Sequence, residues 1–66
     1  MKYYIDVNEN IIKEGDIVRF RFKGDMEHYL AEVQWNGLQW KFGNFSIKDM
    51  DMKTIVIIGN IYDNWS

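Results

Sequence analysis

The sequence predicts an all-β fold, a small SH3-like five-stranded barrel with a short helical turn before the last strand. Three observations predict it. Residues 17–23 and 29–35 alternate apolar and polar side chains, an Asn-Gly pair follows the second of these segments, and residues 54–58 are rich in β-branched side chains. A chain of 66 residues has the length of a single domain, which we place at residues 1–66.

The N-terminal part of the chain predicts a short strand at residues 3–5 and a turn at residues 6–10. A tight turn at residues 14–16 and a long strand at residues 17–23 follow. In the long strand, the alternation places Val18, Phe20 and Phe22 on one face. The basic side chains of this strand then lie on the opposite face. We therefore expect one apolar face and one charged face for the sheet.

The segment at residues 35–38, Trp-Asn-Gly-Leu, predicts a hairpin with a two-residue loop, because Asn-Gly tolerates the positive φ angles of a type I′ turn. A four-residue loop at residues 24–27 joins the preceding strand to this hairpin. The predicted register pairs are Trp35–Leu38, Val33–Trp40, Ala31–Phe42, Phe22–Tyr29, Phe20–Ala31 and Val18–Val33. This register makes a charged ladder of Arg19, Glu32 and Lys41 on the back of the meander.

The C-terminal part predicts the helical turn and the last strand. Ser46 is placed as a helix N-cap, with Asp49 as the second member of a capping box. Residues 49–53 also resemble the start of a calcium loop, but Lys53 stands where such a loop needs an oxygen ligand. We therefore favour a capped polar turn, followed by a strand at residues 54–58 that is apolar on both faces.

The composition offers no recognisable catalytic or metal-binding motif. Cysteine is absent, His28 is the single histidine, and neither serine lies in a nucleophile motif. We therefore predict that the protein is not an enzyme and that it has no cofactor, metal ion or small-molecule substrate. No apolar run is long enough to span a membrane and a charge stands close to the first residue, so we expect a cytoplasmic protein without a signal peptide.

Three strings of residues resemble the phage YopX-like protein family. They are Asp6–Val18 (DVNENIIKEGDIV), Val33–Trp35 (VQW) and Ile57–Asn64 (IIGNIYDN), and they span nearly the whole chain in order. The chain departs from the family in lacking a further N-terminal portion, and in having Glu9 or Asn10 where a turn glycine is expected and Trp65 where a proline is usual. The resemblance implies a phage or prophage origin, a location in the host bacterial cytoplasm and a barrel fold. It implies no activity.

Basic residues predict one candidate surface. Arg19, Arg21, Lys23 and Lys41 are expected on the charged face, as in a nucleic-acid-binding SH3-like barrel. Alternation, however, places the aromatic rings on the other face, and Glu32 neutralises part of the charge. A solvated charged face is therefore the favoured interpretation, and nucleic-acid binding is the alternative function.

Apolar residues near the C-terminus predict a second candidate surface. A protein interface is expected at Val56, Ile58, Ile61, Tyr62 and Trp65. The other interpretation is that the tail folds back over one end of the barrel. The leading hypothesis is a non-catalytic, phage-encoded binding module that acts through protein–protein contacts. Its partner is either a second copy, giving a homo-oligomer, or a host protein that it binds and inhibits, such as a defence factor.

Overall fold

A computed structural model describes residues 3–63 and confirms the all-β class. Four antiparallel strands form one open sheet in the order β3-β2-β1-β4, so a closed barrel of five strands is not observed among these residues. The elements are β1 (Asp16–Phe22), β2 (Tyr29–Trp35), β3 (Trp40–Phe42), a 3₁₀ turn (Ile47–Asp49) and β4 (Met50–Asn60).

The predicted register of the meander is wrong by two residues in both pairings. Val18 faces Ala31 and Phe20 faces Tyr29, while Val33 faces Phe42 and Trp35 faces Trp40. Since side chains alternate with a period of two, a shift of two residues leaves every side chain on its predicted face. The predicted charged ladder of Arg19, Glu32 and Lys41 is not formed, because Arg19 faces Leu30, Glu32 faces Ile17 and Lys41 faces Gln34.

The loop between β2 and β3 has four residues rather than two. The side-chain Oδ1 of Asn36 accepts the backbone N–H groups of Leu38 and Gln39, both at 2.8 Å. Asparagine commonly closes loops in this way, by mimicking a backbone turn. Leu38, which was predicted to face Trp35, lies at the tip of this loop with 90 % of its surface exposed.

The core lies on the inner face of the sheet and contains eight buried apolar residues: Ile12, Val18, Phe20, Ala31, Val33, Phe42, Met50 and Ile55. Four aromatic rings extend it at one end. Phe20, Phe22, Tyr29 and Phe45 contact one another with ring centroids between 4.9 Å and 6.2 Å apart. Each such pair contributes about 0.5–1.5 kcal/mol beyond its buried area, which matters in so small a domain.

The 3₁₀ turn confirms the predicted helical turn, but not its predicted cap. Ser46 occupies the N-cap position and its side chain makes no capping hydrogen bond. The turn is closed by the backbone, because the Asp49 N–H group donates to the Ser46 carbonyl oxygen at 3.0 Å. The turn leads directly into β4.

The pairing of strand β4 with β1 shifts in register between its two ends, at a bulge that we call the bend. Asp51 faces Arg21 and Val56 faces Arg19, so residues 52–55 all lie opposite the single residue Phe20. The Thr54 hydroxyl group stabilises the bend, accepting the Arg21 backbone N–H group at 2.9 Å and donating to the Asp51 carbonyl oxygen at 2.7 Å. The bend allows an 11-residue strand to follow both ends of β1.

The N-terminal segment covers the free edge of β4. The Val7 N–H group donates to the Ile55 carbonyl oxygen at 2.9 Å, and the Ile57 N–H group donates to Asp6 Oδ2 at 3.1 Å. Asp6 Oδ1 also accepts the N–H groups of Asn8 at 2.9 Å and Asn10 at 2.8 Å. This carboxylate therefore forms the predicted turn at residues 6–10 and joins it to β4.

Asp6 is 5 % exposed and is charged in the folded protein. Burial alone raises the pKa of its carboxyl group, but the three backbone N–H groups that bond to it outweigh burial and lower the pKa below its ordinary value. The folded state therefore depends on the ionised form of this side chain.

Glu9 is the one non-glycine residue with a positive φ angle in the described part of the chain, at 66°. We expect Glu9→Gly to raise the free energy of unfolding by about 1 kcal/mol, because glycine adopts this conformation without strain. In a domain of this size that corresponds to an increase in melting temperature of about 4–8 °C, measured by circular dichroism. Asn10→Gly is the matched control, because Asn10 has no positive φ angle. It should lower the melting temperature, and an equal rise in both variants would contradict the interpretation.

Candidate functional site

The outer face of the sheet carries an apolar patch around one arginine. Leu30 and Val56 face Arg19 from either side, on β2 and β4, and Ile17 precedes Arg19 by two residues on the same face of β1. Ile58 lies two residues after Val56, at a register shift where Ile57 faces Val18 and Gly59 faces Ile17. Leu30 is 57 % exposed and Ile58 is 46 % exposed. We call these five residues the outer-face patch.

Two of the residues predicted at a protein interface, Val56 and Ile58, belong to the outer-face patch. Leu30 and Ile17 complete it and were not predicted as site residues. Leu30 did carry a signal in the sequence, because the alternation of β2 places it with Glu32 and Gln34 on the polar face. A large apolar side chain at such a position contacts solvent unless a partner covers it.

The predicted interface residues in the tail lie elsewhere, at the end of β4. The Ile61 N–H group donates to the Gly15 carbonyl oxygen at 2.8 Å, and the Tyr62 hydroxyl group donates to the Glu14 carboxylate at 2.8 Å. The tail therefore folds back over the turn at residues 14–16, although 70 % of the Tyr62 surface stays exposed. The hydrogen bond to Glu14 raises the pKa of Tyr62. Trp65, the fifth predicted interface residue, lies outside the described residues.

Two strings that resemble the phage family meet at this end of the molecule. Asp16 Oδ1 accepts the side-chain N–H of Asn60 at 2.8 Å, and Asp16 Oδ2 accepts the Lys13 N–H group at 2.7 Å. Asp16 is 7 % exposed. Within the described residues every buried side-chain polar atom has a hydrogen-bond partner. The Glu-Gly-Asp and Gly-Asn-Ile-Tyr strings thus hold the start of β1 against the end of β4, which is a structural role.

The four predicted nucleic-acid-binding residues do not lie side by side on the sheet. Arg19 and Arg21 lie on the outer side of β1 and Lys23 follows its last residue, whereas Lys41, on the edge strand β3, pairs with Gln34 of β2. Arg19 faces Leu30 and Lys41 faces Gln34, and Leu30 and Gln34 are four residues apart on β2. With the usual spacings along and between strands, the backbone of Lys41 therefore lies ~16 Å from that of Arg19. That distance exceeds the screening length of about 8–10 Å at ordinary salt. Lys41 therefore stands apart from the basic residues of β1, and nucleic-acid binding by these four residues stays a prediction.

The acidic side chains reduce the positive charge of β1 further. Asp51 faces Arg21 across the β1–β4 pairing. Asp25, in the loop after β1, accepts the Glu27 N–H group at 2.9 Å and the Tyr29 hydroxyl group at 3.0 Å. These hydrogen bonds lower the pKa of Asp25, and the bond from Tyr29 raises the pKa of Tyr29. The loop end of β1 therefore carries carboxylates beside its basic side chains.

A groove of about 510 Å³ opens beside the edge strand β3. Three aromatic residues line it, Tyr4, Trp40 and Phe45, together with the lysines Lys41 and Lys48. The described residues that line it include no carboxylate. Except for Lys41, none of these side chains was predicted as a site residue.

Chemistry based on metal ions finds no support in the described part of the chain. Between residues 3 and 63, no three His, Asp or Glu side chains are arranged to hold a metal ion. The same residues include no helix that is long and apolar enough to cross a membrane. The predicted absence of an enzymatic activity stays a prediction.

Comparisons of the chain with protein-family models, with curated proteins and with solved structures find no match in any of the three. The resemblance to the phage YopX-like family is neither supported nor opposed by them. What the protein binds must therefore be inferred from its surfaces.

Proposed function

We propose that this protein is a non-catalytic binding module that acts through protein–protein contacts at the outer-face patch. The observation that carries the proposal is the exposure of Leu30 and Ile58 beside Arg19 and Val56 on the outer side of the sheet. Soluble proteins seldom leave neighbouring apolar side chains exposed on one face unless a partner covers them. The core, by contrast, is already complete on the inner face.

A second copy of the chain is the partner that the patch fits best. Arg19 lies within the patch, and Glu32 lies one position further along β2, facing Ile17. In a two-fold interface the same contact occurs twice, so Arg19 of one copy can meet Glu32 of the other at two places. Apolar contacts between Leu30, Val56 and Ile58 would lie between those two ion pairs.

The resemblance to the phage family supports the further proposal that this module comes from a phage or prophage and acts in the cytoplasm of the host bacterium. In that setting the alternative occupant of the patch is a host protein, such as a defence factor, that the module binds and inhibits. We also propose that the fold is related to the SH3-like small barrels. The bend at residues 52–55 supports this, because it divides β4 into two parts that pair with opposite ends of β1 and would count as strands four and five.

The solution mass, measured by light scattering after size exclusion, tests the proposal. We expect wild type to have the mass of a dimer and Leu30→Lys to have that of a monomer, because the variant places a second positive charge beside Arg19. Leu38→Lys is the matched control, since Leu38 is more exposed than Leu30 and lies at a loop tip away from the patch. It should remain a dimer.

Other outcomes also decide the proposal. A monomeric wild type directs the search to a host partner, which immobilised wild type should capture and immobilised Leu30→Lys should lose. If wild type is monomeric and no captured protein depends on Leu30, the proposal is wrong. Dissociation by Leu38→Lys would place the interface at the β2–β3 loop instead.

A further inference from the structure

We propose that the groove beside β3 binds single-stranded nucleic acid. This inference does not depend on the proposed protein interface, because the groove lies at the edge strand and the outer-face patch lies on β1, β2 and β4. The juxtaposition that carries it is three aromatic rings and two lysines in one concave surface.

The aromatic rings come from three separate parts of the chain. Tyr4 precedes the N-terminal turn, Trp40 begins β3, and Phe45 follows β3. Trp40 lies 5.0 Å from Trp35 and Tyr4 lies 5.8 Å from Phe42, measured between ring centroids, so both rings are held in place by neighbours. Bases stack on such fixed rings without regard to sequence.

The charge of the groove favours an anionic ligand. Lys41 and Lys48 flank the rings, both are exposed, and the lining has no carboxylate among the described residues. The expected separation of charges and rings on opposite faces of the sheet does not apply here. At the edge of a sheet, side chains of both faces border the same space, so Trp40 and Lys41 line one groove despite being neighbours in sequence.

The size and polarity of the groove also fit a nucleotide. A volume of about 510 Å³ lies within the range of small-ligand sites, which accommodates one base with its sugar and phosphate. Gln39, Asn44 and Ser46 add hydrogen-bond donors and acceptors that can meet base edges. Single strands expose those edges, whereas a duplex buries its base faces and cannot stack on the rings.

Fluorescence anisotropy with a labelled oligothymidine and a labelled oligouridine of about ten nucleotides tests the proposal, since one strand-binding domain covers about 4–16 nucleotides. We expect binding at low salt. With two lysine contacts, the logarithm of the binding constant should fall against the logarithm of salt concentration with a slope of about −1.4, and in Lys48→Gln with a slope of about −0.7. Phe45→Leu should weaken binding at least about five-fold through lost stacking.

Lys23→Gln is the matched control, since it removes the same charge from the residue that follows β1, which does not line the groove. It should bind like wild type, whereas an effect equal to that of Lys48→Gln would return the site to β1 and overturn the proposal. Melting curves of each variant show whether Phe45→Leu is folded, and the two lysine variants decide the question if it is not.

Failure of both oligonucleotides to bind at low salt overturns the proposal. Binding of a labelled glutamate-rich peptide in their place, dependent on Lys48, would reassign the groove to an acidic protein segment.

Discussion

Replacing Asp6 with alanine is expected to remove a large part of the stability of the protein. The carboxylate accepts backbone N–H groups from Asn8, Asn10 and Ile57 at 2.8–3.1 Å, and it is 5 % exposed. Loss of an ionic acceptor by three donors costs about 4 kcal/mol, against about 3–10 kcal/mol for the whole stability of a domain of this length. Urea unfolding followed by tryptophan fluorescence measures the loss, and Asp63→Asn is the control for removal of an exposed carboxylate.

Asp6→Asn separates the charge of the side chain from its shape. The amide oxygen can keep the bonds from Asn8 and Asn10, while the NH₂ group meets the Ile57 N–H group as donor against donor. We therefore expect about half of the loss seen with alanine, because one bond of three is replaced by a repulsive contact. A loss as large as that of Asp6→Ala would mean that the charge itself, rather than the number of accepted bonds, holds the turn.

The same carboxylate should make stability depend on pH. Because its pKa is lower in the folded protein than the ordinary value of 3.8, its contribution is present above pH 3.8 and is lost as the pH falls through the folded pKa. Wild type should therefore lose more stability than Asp6→Asn between neutral pH and about pH 3. Equal losses in the two proteins would show that other carboxylates are responsible.

The sequence predicted the faces of the strands better than their neighbours. The core contains four residues that were expected there: Val18, Phe20, Val33 and Phe42. Side chains alternate between faces with a period of two, so a register that is wrong by an even number of residues leaves each side chain on its predicted face. The register itself depends on loop length. Asn36-Gly37 suits both a two-residue and a four-residue loop, and the longer loop places Trp35 directly opposite Trp40, with ring centroids 5.0 Å apart.

The buried carboxylates show why turn residues are hard to interpret from sequence. Asp6 and Asp16 both stand in segments that were predicted as turns, and both turns exist. Each side chain also bonds to β4, to Ile57 and to Asn60, some 51 and 44 residues away. A local pattern contains no information on such a partner, so the structural importance of these two residues could not be predicted.

The candidate surfaces were predictable only where they follow one strand. The prediction of Val56 and Ile58 as surface residues came from the alternation of β4. When a strand is apolar on both faces and one face lies on the core, the other face is exposed. The groove beside β3 brings together Tyr4, Phe45 and Lys48 from segments that have no period in common. Positions that meet only through tertiary folding leave no pattern in the sequence.

Gly15→Ala is expected to destabilise the protein through two separable effects. Gly15 has a φ angle of 92°, and a Cβ atom there would overlap Cε2 of Tyr62 and lie 2.9 Å from its Cδ2. The left-handed conformation costs alanine about 1–2 kcal/mol, and displacement of the Tyr62 ring brings the total to about 2–4 kcal/mol. Urea unfolding of wild type and variant measures the sum.

Gly37→Ala isolates the backbone effect, because Gly37 has a φ angle of 93° and no atom within 4 Å of the added Cβ. The difference between the two glycine variants is then the cost of moving Tyr62 from the turn and from Glu14. In a Tyr62→Ala background that difference should disappear, which gives a coupling between positions 15 and 62 of about 1–2 kcal/mol. If Gly15→Ala costs no more than Gly37→Ala, the tail does not rest on the turn. Tyr62 would then be free to serve the interface that its exposure first suggested.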